Sequence, residues 1–423
     1  MKKLLTICLV TLIIMTVVTQ SGIAEYIYEP FDYSDATGDK ETIITDINNA
    51  GNIAGVYTYG VNADGDYYPD WHGFFYDGVS YTSIDVPVPG AYETFIEGIN
   101  DDNKIVGYYK DDTLSRKRHG FLYDGTYTTI DCSGAYETIL SGINDAGKIL
   151  GRFYSFYPVR RVYPFLWDGT MCSIIADNEF EDCSVDIVSV CTGGINNADK
   201  IVGVYKVSID EDNDGLKDWH GFLKDGTTCT TYDVNSNPIM FRMEAFDIND
   251  ADNIVGVDDV GFFGAYGYVY NGNSFTNKEI GYPNYCNGAH GINNAGKITG
   301  TYVKDLLCNK CNGNEEDDIV NCNPIWEYHG FIATCSNPPA RINTTFEDSS
   351  LQNTYNAALD GDIIYTQSIV FTEDLYIDGS KSVFLRAGYD CDYISSTGKT
   401  VLKGNLIIIK GKLTIESGTF EVM

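Results

Sequence analysis

The sequence has few basic residues for its length. Its 423 residues include 28 lysines and arginines against 60 aspartates and glutamates, giving a formal net charge of −32 at pH 7. A surface of this charge repels the phosphate backbone of nucleic acids and anionic lipids, and it attracts cations. The charge therefore excludes nucleic acid as a partner and favours cations, neutral polymers and proteins.

Long apolar runs are also rare, and residues 4–18 form the one conspicuous example. This run follows Lys2 and Lys3 and precedes the small residues of positions 21–24, which is the order of a secretory signal peptide. It is too short to span a membrane comfortably. We therefore predict that residues 1–24 are a signal peptide and that the mature chain is secreted or held at the cell surface, with the periplasm as the alternative, and has no membrane span. Its removal takes away two lysines and no acids, so the mature charge is 26 − 60 = −34.

Common catalytic motifs are missing as well. The sequence has no nucleophile elbow, no His-Glu-x-x-His and no glycine-rich phosphate loop. Apolar residues make up 43% and charged residues 21%, so the chain can form a core and wholesale disorder is excluded. The 43 glycines and 32 tyrosines favour many short strands and turns over helices.

Cysteine is present in quantity, with eleven residues left once Cys8 of the signal peptide is removed. An exported chain can form disulfides, and an odd count leaves at least one thiol free or intermolecular. Two groups lie close together in sequence: Cys172, Cys183 and Cys191, and then Cys308, Cys311, Cys322 and Cys335. The second group fits either disulfides that staple a loop or a zinc site.

A motif of nine residues recurs six times along most of the chain. The pattern Ile-Asn-[Asn/Asp]-[Ala/Asp]-x-[Lys/Asn]-Ile-x-Gly begins at Ile47, Ile99, Ile143, Ile195, Ile248 and Ile292. The fifth position is always Gly, Asn or Asp, the residues that tolerate positive φ, so the motif predicts a tight hairpin. The glycine at the ninth position predicts close backbone approach or a bulge.

A second motif follows each copy of the first after a variable loop. It is His-Gly-Phe at His72, His119, His220 and His329, and it varies at Tyr163 and Tyr266 in copies three and five. An Asp-Gly or Asn-Gly hairpin turn and a fourth strand come next. Each unit thus gives four short antiparallel strands, which we name a to d in chain order.

Six four-stranded units of 40–50 residues predict an all-β, six-bladed β-propeller over residues 25–335. The sixth copy lacks strand d, and the missing piece lies before the first copy, where Tyr28, Phe31 and Asp32 match Tyr81, Ile84 and Asp85. We therefore predict that the first strand of the mature chain completes the last blade and closes the ring.

The combination of these two motifs resembles the HAF family of probable extracellular repeat proteins. The resemblance covers about three quarters of the chain, and copies three and five depart from it at the histidine. It implies an exported bacterial repeat protein, and it brings no activity or catalytic residue with it.

The long b–c and d–a connections should emerge on one face of the propeller, which is where loops on a rigid scaffold bind ligands. In copy four this loop carries alternate oxygen ligands at Asp210, Asp212, Asp214 and Asp218 with a glycine at the sixth position, a pattern typical of Ca²⁺ loops. Copy one has a weaker version at Asn62, Asp64, Asp66 and Asp70. The alternative for both is a solvated acidic loop.

Other side chains fit binding or structural roles. Glu41, Glu93 and Glu137 each lie six residues before the repeat isoleucine, where they would line the channel mouth or be solvated strand ends. Trp71 and Trp219 follow the Ca²⁺ loops and fit sugar stacking or packing against a blade. We expect the four repeated histidines to make a repeated structural hydrogen bond, while His290 stands near the channel.

The two prolines Pro338 and Pro339 end the repeats, so we predict a linker over residues 336–349 and a β-rich domain over 350–423. A helix over 350–359 should precede strands that resemble the first rungs of a parallel β-helix, with a small antiparallel sheet as the alternative.

The missing catalytic motifs favour a non-enzymatic, calcium-stabilised module that binds an extracellular glycan or protein through its long-loop face. The alternative is a secreted glycan-acting hydrolase or lyase with carboxylates at the channel mouth, since carboxylates suffice for that chemistry.

Overall fold

The protein is a six-bladed β-propeller with a second β-rich domain at its C-terminal end. The computed structural model describes residues 26–35, 38–39, 41–58, 70–112, 116–155, 161–175, 187–207, 219–233, 242–259, 265–271, 274–281, 285–305, 326–343, 346–396 and 398–423. Each blade is a four-stranded antiparallel sheet, as the repeats predict. No helix among these residues is long and apolar enough to cross a membrane.

The strands of the first three blades follow a short N-terminal strand and a small hairpin. They are β1 (Tyr26–Phe31), β2 (Ser34–Asp35), β3 (Gly38–Asp39), β4 (Glu41–Ile47), β5 (Ile53–Thr58), β6 (His72–Tyr76), β7 (Tyr81–Ile84), β8 (Ala91–Ile99), β9 (Ile105–Asp111), β10 (Arg118–Tyr123), β11 (Tyr127–Ile130), β12 (Glu137–Ile143), β13 (Ile149–Ser155), β14 (Arg161–Trp167) and β15 (Cys172–Ile174).

The other three blades continue in the same order. Their strands are β16 (Ile187–Ile195), β17 (Ile201–Val207), β18 (Trp219–Asp225), β19 (Thr228–Tyr232), β20 (Arg242–Ile248), β21 (Ile254–Asp259), β22 (Ala265–Tyr270), β23 (Phe275–Ile280), β24 (Cys286–Ile292), β25 (Ile298–Asp305) and β26 (Trp326–Cys335).

The N-terminal strand closes the ring. Strand β1 pairs antiparallel with β26, from Tyr26 opposite Cys335 to Phe31 opposite Gly330, so the sixth sheet runs β24-β25-β26-β1. Phe31 then packs against blade 1, with its ring 5.2 Å from that of Tyr76. The predicted closure is confirmed, and it pairs the edge that β26 would otherwise leave open.

The a–b turn of each blade is shaped by the fifth residue of the repeat. This residue has a positive φ in all six copies: Gly51, Asn103, Gly147, Asp199, Asp252 and Gly296. The asparagine at the second position of the repeat caps the turn from inside. In blade 2, Asn100 Oδ1 accepts the N–H groups of Asp102 (3.1 Å) and Lys104 (2.9 Å). The hairpin prediction is therefore confirmed.

The same asparagines link every blade to the next around the axis. Each Nδ2 donates to the backbone carbonyl of the corresponding asparagine in the following blade at 3.0–3.3 Å, in the order Asn48, Asn100, Asn144, Asn196, Asn249, Asn293 and back to Asn48. A second ring runs beside the first, in which the next residue's N–H donates to the following blade's side-chain oxygen at 2.7–2.9 Å. Two closed hydrogen-bond rings thus surround the channel.

The ninth-position glycine is required by close packing inside each blade. A Cβ at Gly55 would clash with the Ile43 carbonyl oxygen and lie 2.8 Å from the Phe74 ring. Phe74 is the phenylalanine of the His-Gly-Phe motif and is completely buried. The glycine and the phenylalanine therefore form one packing unit.

The C-terminal domain is a short parallel β-helix. Its elements are β27 (Ala340–Ile342), β28 (Phe346–Asp348), α1 (Leu351–Ala357), β29 (Ile363–Gln367), β30 (Val370–Phe371), β31 (Leu375–Ile377), β32 (Ser382–Tyr389), β33 (Lys399–Leu402), β34 (Leu406–Ile408), β35 (Lys412–Ser417) and β36 (Thr419–Val422). Three parallel ladders run β29-β32-β35, β30-β33-β36 and β31-β34, so the chain coils through successive rungs. This resolves the choice between the two predicted arrangements of the tail.

The predicted linker is partly structured. Strands β27 and β28 lie within residues 336–349, and β27 pairs with β29 of the β-helix. Helix α1 packs Leu351 and Tyr355 into the core at this end of the coil. The segment after Pro339 therefore belongs to the C-terminal domain, because its apolar residues contribute to that core.

The C-terminal domain packs against the a–b turns of blades 5 and 6. The Val370 N–H donates to the Asn294 carbonyl at 2.9 Å, and Lys399 pairs with Asp252 at 3.0 Å. A disulfide between Cys335 and Cys391 joins the last propeller strand to the β-helix, so Cys335 is not a zinc ligand. A second disulfide, Cys132–Cys172, joins blades 2 and 3.

Candidate binding site in the central channel

The predicted Ca²⁺ loops lie almost wholly outside the described residues. Asp210, Asp212, Asp214 and Asp218 of copy four fall there, as do Asn62, Asp64 and Asp66 of copy one. Asp70 is described and stands half-buried before β6. Within the described residues, no three His, Cys, Asp or Glu side chains come together to hold a metal. The calcium prediction therefore stays a prediction.

The two predicted tryptophans are packed against their neighbours. Trp71 makes edge-to-face contacts with two aromatic rings. Its ring centre lies 6.3 Å from that of Phe95 and 6.0 Å from that of Tyr328. Trp219 packs beside the blade 4–5 core, and Lys206 Nζ lies 5.2 Å from its ring centre. Both side chains take part in packing, and each keeps only part of its surface exposed.

The three predicted glutamates do not line the central cavity. Glu93 pairs with Lys110 at 2.5 Å, and Glu137 pairs with Arg118 at 2.9 Å. Glu41 is half-buried at the start of β4. The negative charges of Glu93 and Glu137 are therefore balanced by Lys110 and Arg118.

The four repeated histidines make the expected repeated hydrogen bond. Each Nδ1 contacts the aspartate that ends strand d at 2.8–3.2 Å, in the pairs His72–Asp85, His119–Asp131, His220–Asp233 and His329–Asp32. Each ring also lies over the tyrosine of strand b, with centroids 5.1–5.3 Å apart. In blade 3 Tyr163 replaces the histidine and stacks on Phe153 in the same way. The structural interpretation of the motif is confirmed.

A cavity of about 380 Å³ lies on the propeller axis and is lined by residues of all six blades. Strand a of every blade changes register two residues before the repeat isoleucine. The residues at this bulge line the cavity: Thr45, Glu97, Ser141, Gly193, Phe246 and His290. The bulge therefore selects which side chains the channel presents.

Two aspartates meet in this cavity from blades 1 and 5. The residue before the repeat isoleucine is glycine in four copies and Asp46 or Asp247 in the other two. The two carboxyl groups are hydrogen-bonded to each other, and burial and their mutual charge raise the pKa of Asp46. Burial also raises the pKa of Asp247 to about 6. Two like charges in contact cannot both ionise readily, so each carboxyl group opposes the ionisation of the other.

Each of these aspartates also ties two blades together. Asp46 accepts the N–H of Ile47 at 2.7 Å and the N–H of Ile99 in blade 2 at 2.8 Å. In the same way, Asp247 accepts the N–H of Ile248 in its own blade at 2.7 Å and the N–H of Ile292 in blade 6 at 2.9 Å. The pair is therefore part of the scaffold as well as of the cavity wall.

Glu97 projects from the bulge of blade 2 into the cavity. Burial raises its pKa to about 7, the Arg152 guanidinium opposes that shift, and the Glu244 carboxylate adds to it. Blades 2 and 5 are three apart in a ring of six, so Glu97 and Glu244 stand on opposite walls. Arg152 donates to the Thr192 carbonyl at 3.2 Å and makes no direct ion pair with Glu97 in the described part of the chain.

His290 occupies the bulge of blade 6. Its ring stacks on Phe246 of blade 5, with centroids 4.8 Å apart and an interplanar angle of 17°. Burial lowers the pKa of His290 to about 4, so the imidazole is neutral at physiological pH. The expectation that His290 stands near the channel is confirmed.

Sequence reasoning missed Glu97, Arg152, Asp46 and Asp247. Arg152 lies in strand b, directly after the ninth-position glycine, but for Glu97, Asp46 and Asp247 the signal that could have found them is variation inside the repeat. Strand a is nearly regular, but the two positions before the isoleucine change chemistry from copy to copy. Irregular residues in a regular repeat mark places where the scaffold does not dictate the side chain.

No family model and no curated protein matches the chain, so the resemblance to the HAF family stays a prediction. Among solved structures, the chain is similar to the β-propeller domain of the trilobed protease from Pyrococcus furiosus, at 10% identity over 66% of this chain and 99% of that one, with a TM-score of 0.35. It is similar to the Aleuria aurantia lectin at 12% identity over 63% and 88%, with a TM-score of 0.38. It is also similar to Trypanosoma rangeli sialidase at 8% identity over 73% and 58%, with a TM-score of 0.40. These likenesses concern the course of the chain alone.

Proposed function

We propose that the protein is an exported, calcium-stabilised β-propeller that binds a sugar unit of an extracellular polymer in its central channel. The observation that carries the proposal is the axial cavity of about 380 Å³, which falls in the size range of small-ligand sites. All six blades contribute to its wall, so the ring must close before the site exists.

The wall has the composition of a sugar site. Phe95 and Tyr108 form a parallel stack with centroids 5.4 Å apart in blade 2, and Phe246 with His290 forms another. Aromatic rings pack against the apolar face of a sugar, while carboxylates accept its hydroxyl hydrogen bonds. Both kinds of group line this cavity.

The ligand reaches the channel from the long-loop face, because the C-terminal domain packs on the opposite face against the a–b turns. The acidic loops of copies one and four belong to repeats that are three apart in the chain. Ca²⁺ bound by these loops would order the rim of the site.

A glycan array probed with and without Ca²⁺ tests this function. We expect selective binding by wild type, weaker binding after Ca²⁺ removal, and at least a tenfold loss in the His290→Ala variant. Binding that His290→Ala leaves unchanged would place the site elsewhere. Calorimetric Ca²⁺ titration of wild type, Asp212→Ala and Asp64→Ala tests the metal separately, and equal heats in all three would remove it.

A glycan-acting hydrolase is the second candidate, and the carboxyl groups of the cavity favour it. A glutamate such as Glu97, with a pKa near 7, is suited to donate a proton to a leaving group. If wild type releases reducing ends from a glycan that the array identifies and Glu97→Gln does not, the protein is an enzyme. Binding without release for both proteins supports the binding module.

A further inference from the structure

The cavity wall is strongly acidic. Seven of its residues carry carboxyl groups, namely Asp46, Glu97, Asp101, Asp145, Glu244, Asp247 and Asp250, and Arg152 is its one permanent cation. Asp101, Asp145 and Asp250 already accept backbone hydrogen bonds in the axial ring. The Asp46–Asp247 pair and the two opposed glutamates also line the cavity, where a dielectric below that of bulk water strengthens their effect on a ligand.

Two polar groups of the wall lack a hydrogen-bond partner within the described part of the chain. Glu97 interacts with Arg152 and Glu244 only at a distance. His290 lines the cavity with its ring stacked on Phe246, and a neutral imidazole carries one acceptor nitrogen. The Glu97 side chain keeps part of its surface exposed in the cavity, so a ligand that supplies a positive donor can form a charge-assisted hydrogen bond with it.

The donors of the wall are largely occupied. Ser141 is hydrogen-bonded to Thr192 at 2.9 Å, and Thr45 donates to the Ala54 carbonyl at 3.2 Å. The cavity therefore offers acceptors and calls for a ligand rich in donors. A protonated primary amine has three donors and no acceptor, which matches this demand better than a hydroxyl does.

The aromatic stacks favour a ligand that contains a ring over a bare ammonium ion. The Phe95–Tyr108 stack belongs to blade 2, and the Phe246–His290 stack joins blades 5 and 6, which are three and two blades away around the ring, so a flat ring between the stacks can face both. A cation held near these rings gains further from their negative faces. The cavity of about 380 Å³ also exceeds what a single alkylammonium group fills.

From these contacts we infer that the channel is selective for an amino sugar with a free, protonated amine, which binds between Glu97 of blade 2 and the wall formed by Glu244 of blade 5 and His290 of blade 6. This inference rests on the proposed function and names its ligand class. The N-acetylated form of the same sugar presents an uncharged amide and leaves Glu97 without its counter-charge.

The test compares two ligands that differ only in the amine. Calorimetry measures binding of a glucosamine oligomer and of the matching N-acetylglucosamine oligomer to wild type, Glu97→Gln and Glu244→Gln. We expect wild type to bind the free-amine oligomer at least tenfold more tightly, and each glutamine variant to lose most of that preference. Glu29→Gln, on the exposed side of β1, removes one charge outside the channel and should keep it. Circular dichroism and melting curves check that each variant folds, and the two glutamates provide independent variants.

Each other outcome contradicts a defined part of the argument. Equal binding of both oligomers that still depends on His290 overturns the amine selectivity and leaves sugar binding intact. A preference that Glu97→Gln, Glu244→Gln and Glu29→Gln all keep shows attraction by the overall negative charge and overturns the channel assignment. If neither oligomer binds while the array finds another sugar, the amino sugar is wrong; if no sugar binds at all, the proposed function is wrong too.

Discussion

At the scale of single residues, the contact between His72 and Asp85 gives the propeller a small pH dependence. The Asp85 hydrogen bond raises the pKa of His72, so this contact adds stability below the unfolded value of about 6.5 and loses it as pH rises through the folded value. We expect Asp85→Asn to cost about 0.5 kcal/mol more at about pH 5.5 than at about pH 8.5. Urea unfolding at both pH values measures this, and equal losses would show that the contact is insensitive to charge.

Glu97 should act in the same direction, because the folded state also binds its proton more tightly than the unfolded state does. Burial raises its pKa from the ordinary glutamate range to about 7, so the folded state holds a proton that the unfolded state releases, and stability falls as pH rises from about 4.5 to 7. Glu97→Gln keeps the shape of the protonated form. We expect this variant to be more stable than wild type by about 1–2 kcal/mol at about pH 8 and nearly equal at about pH 5. Thermal unfolding across this range checks it, and a variant less stable at both ends would mean that the ionised side chain has a partner worth more than its burial costs.

At the scale of elements, the asparagine of the repeat does two jobs. Asn100 caps its own turn through Oδ1, and its Nδ2 donates to the Asn144 carbonyl of the next blade at 3.1 Å. We expect Asn100→Ala to lower the free energy of unfolding by about 2–3 kcal/mol, since both contacts are buried. Asn100→Asp keeps the acceptor of the turn but sets a carboxylate oxygen against the Asn144 carbonyl and buries its charge, so it should cost at least as much.

The neighbouring Asp102 supplies the control for this prediction. It lies exposed in the same turn and pairs with Lys104 at the surface. Asp102→Ala should therefore cost less than about 0.5 kcal/mol. Equivalent losses in Asn100→Ala and Asp102→Ala, measured by urea unfolding, would contradict a special role for the asparagine ring.

Elements also mark the limit of what sequence could predict. The blade count, the hairpins and the closing strand follow from local patterns such as positive-φ residues and recurring glycines, whereas these patterns left a parallel coil and an antiparallel sheet both open for the tail. The residues that line the channel could not be predicted in this way, because no single residue type marks the bulge of strand a. Counting along an unbroken strand drew attention to Glu41, Glu93 and Glu137, whereas the bulge presents Glu97 and His290 to the cavity.

At the scale of the whole molecule, stability and function depend on the same closure. The last blade borrows β1 from the other end of the chain, and the hydrogen-bond ring of the a–b turns closes between Asn293 and Asn48 at 3.2 Å. A cavity lined by six blades exists only in the closed ring. Weakening the closing strand should therefore remove binding together with stability, although that strand lies far out on blade 6.

Phe31→Ala tests this coupling. The Phe31 side chain is 8% exposed and stacks on Phe74, so its loss should cost about 3 kcal/mol and free the edge of β26 to pair with other chains. We expect a lower unfolding midpoint, oligomers in light scattering and a parallel loss of ligand affinity. Ile27→Ala is the matched control, since Ile27 lies in the same strand but is 55% exposed. If Phe31→Ala binds ligand with wild-type affinity while its edge pairs with other chains, the channel site does not need a closed ring, and the binding surface must lie within individual blades.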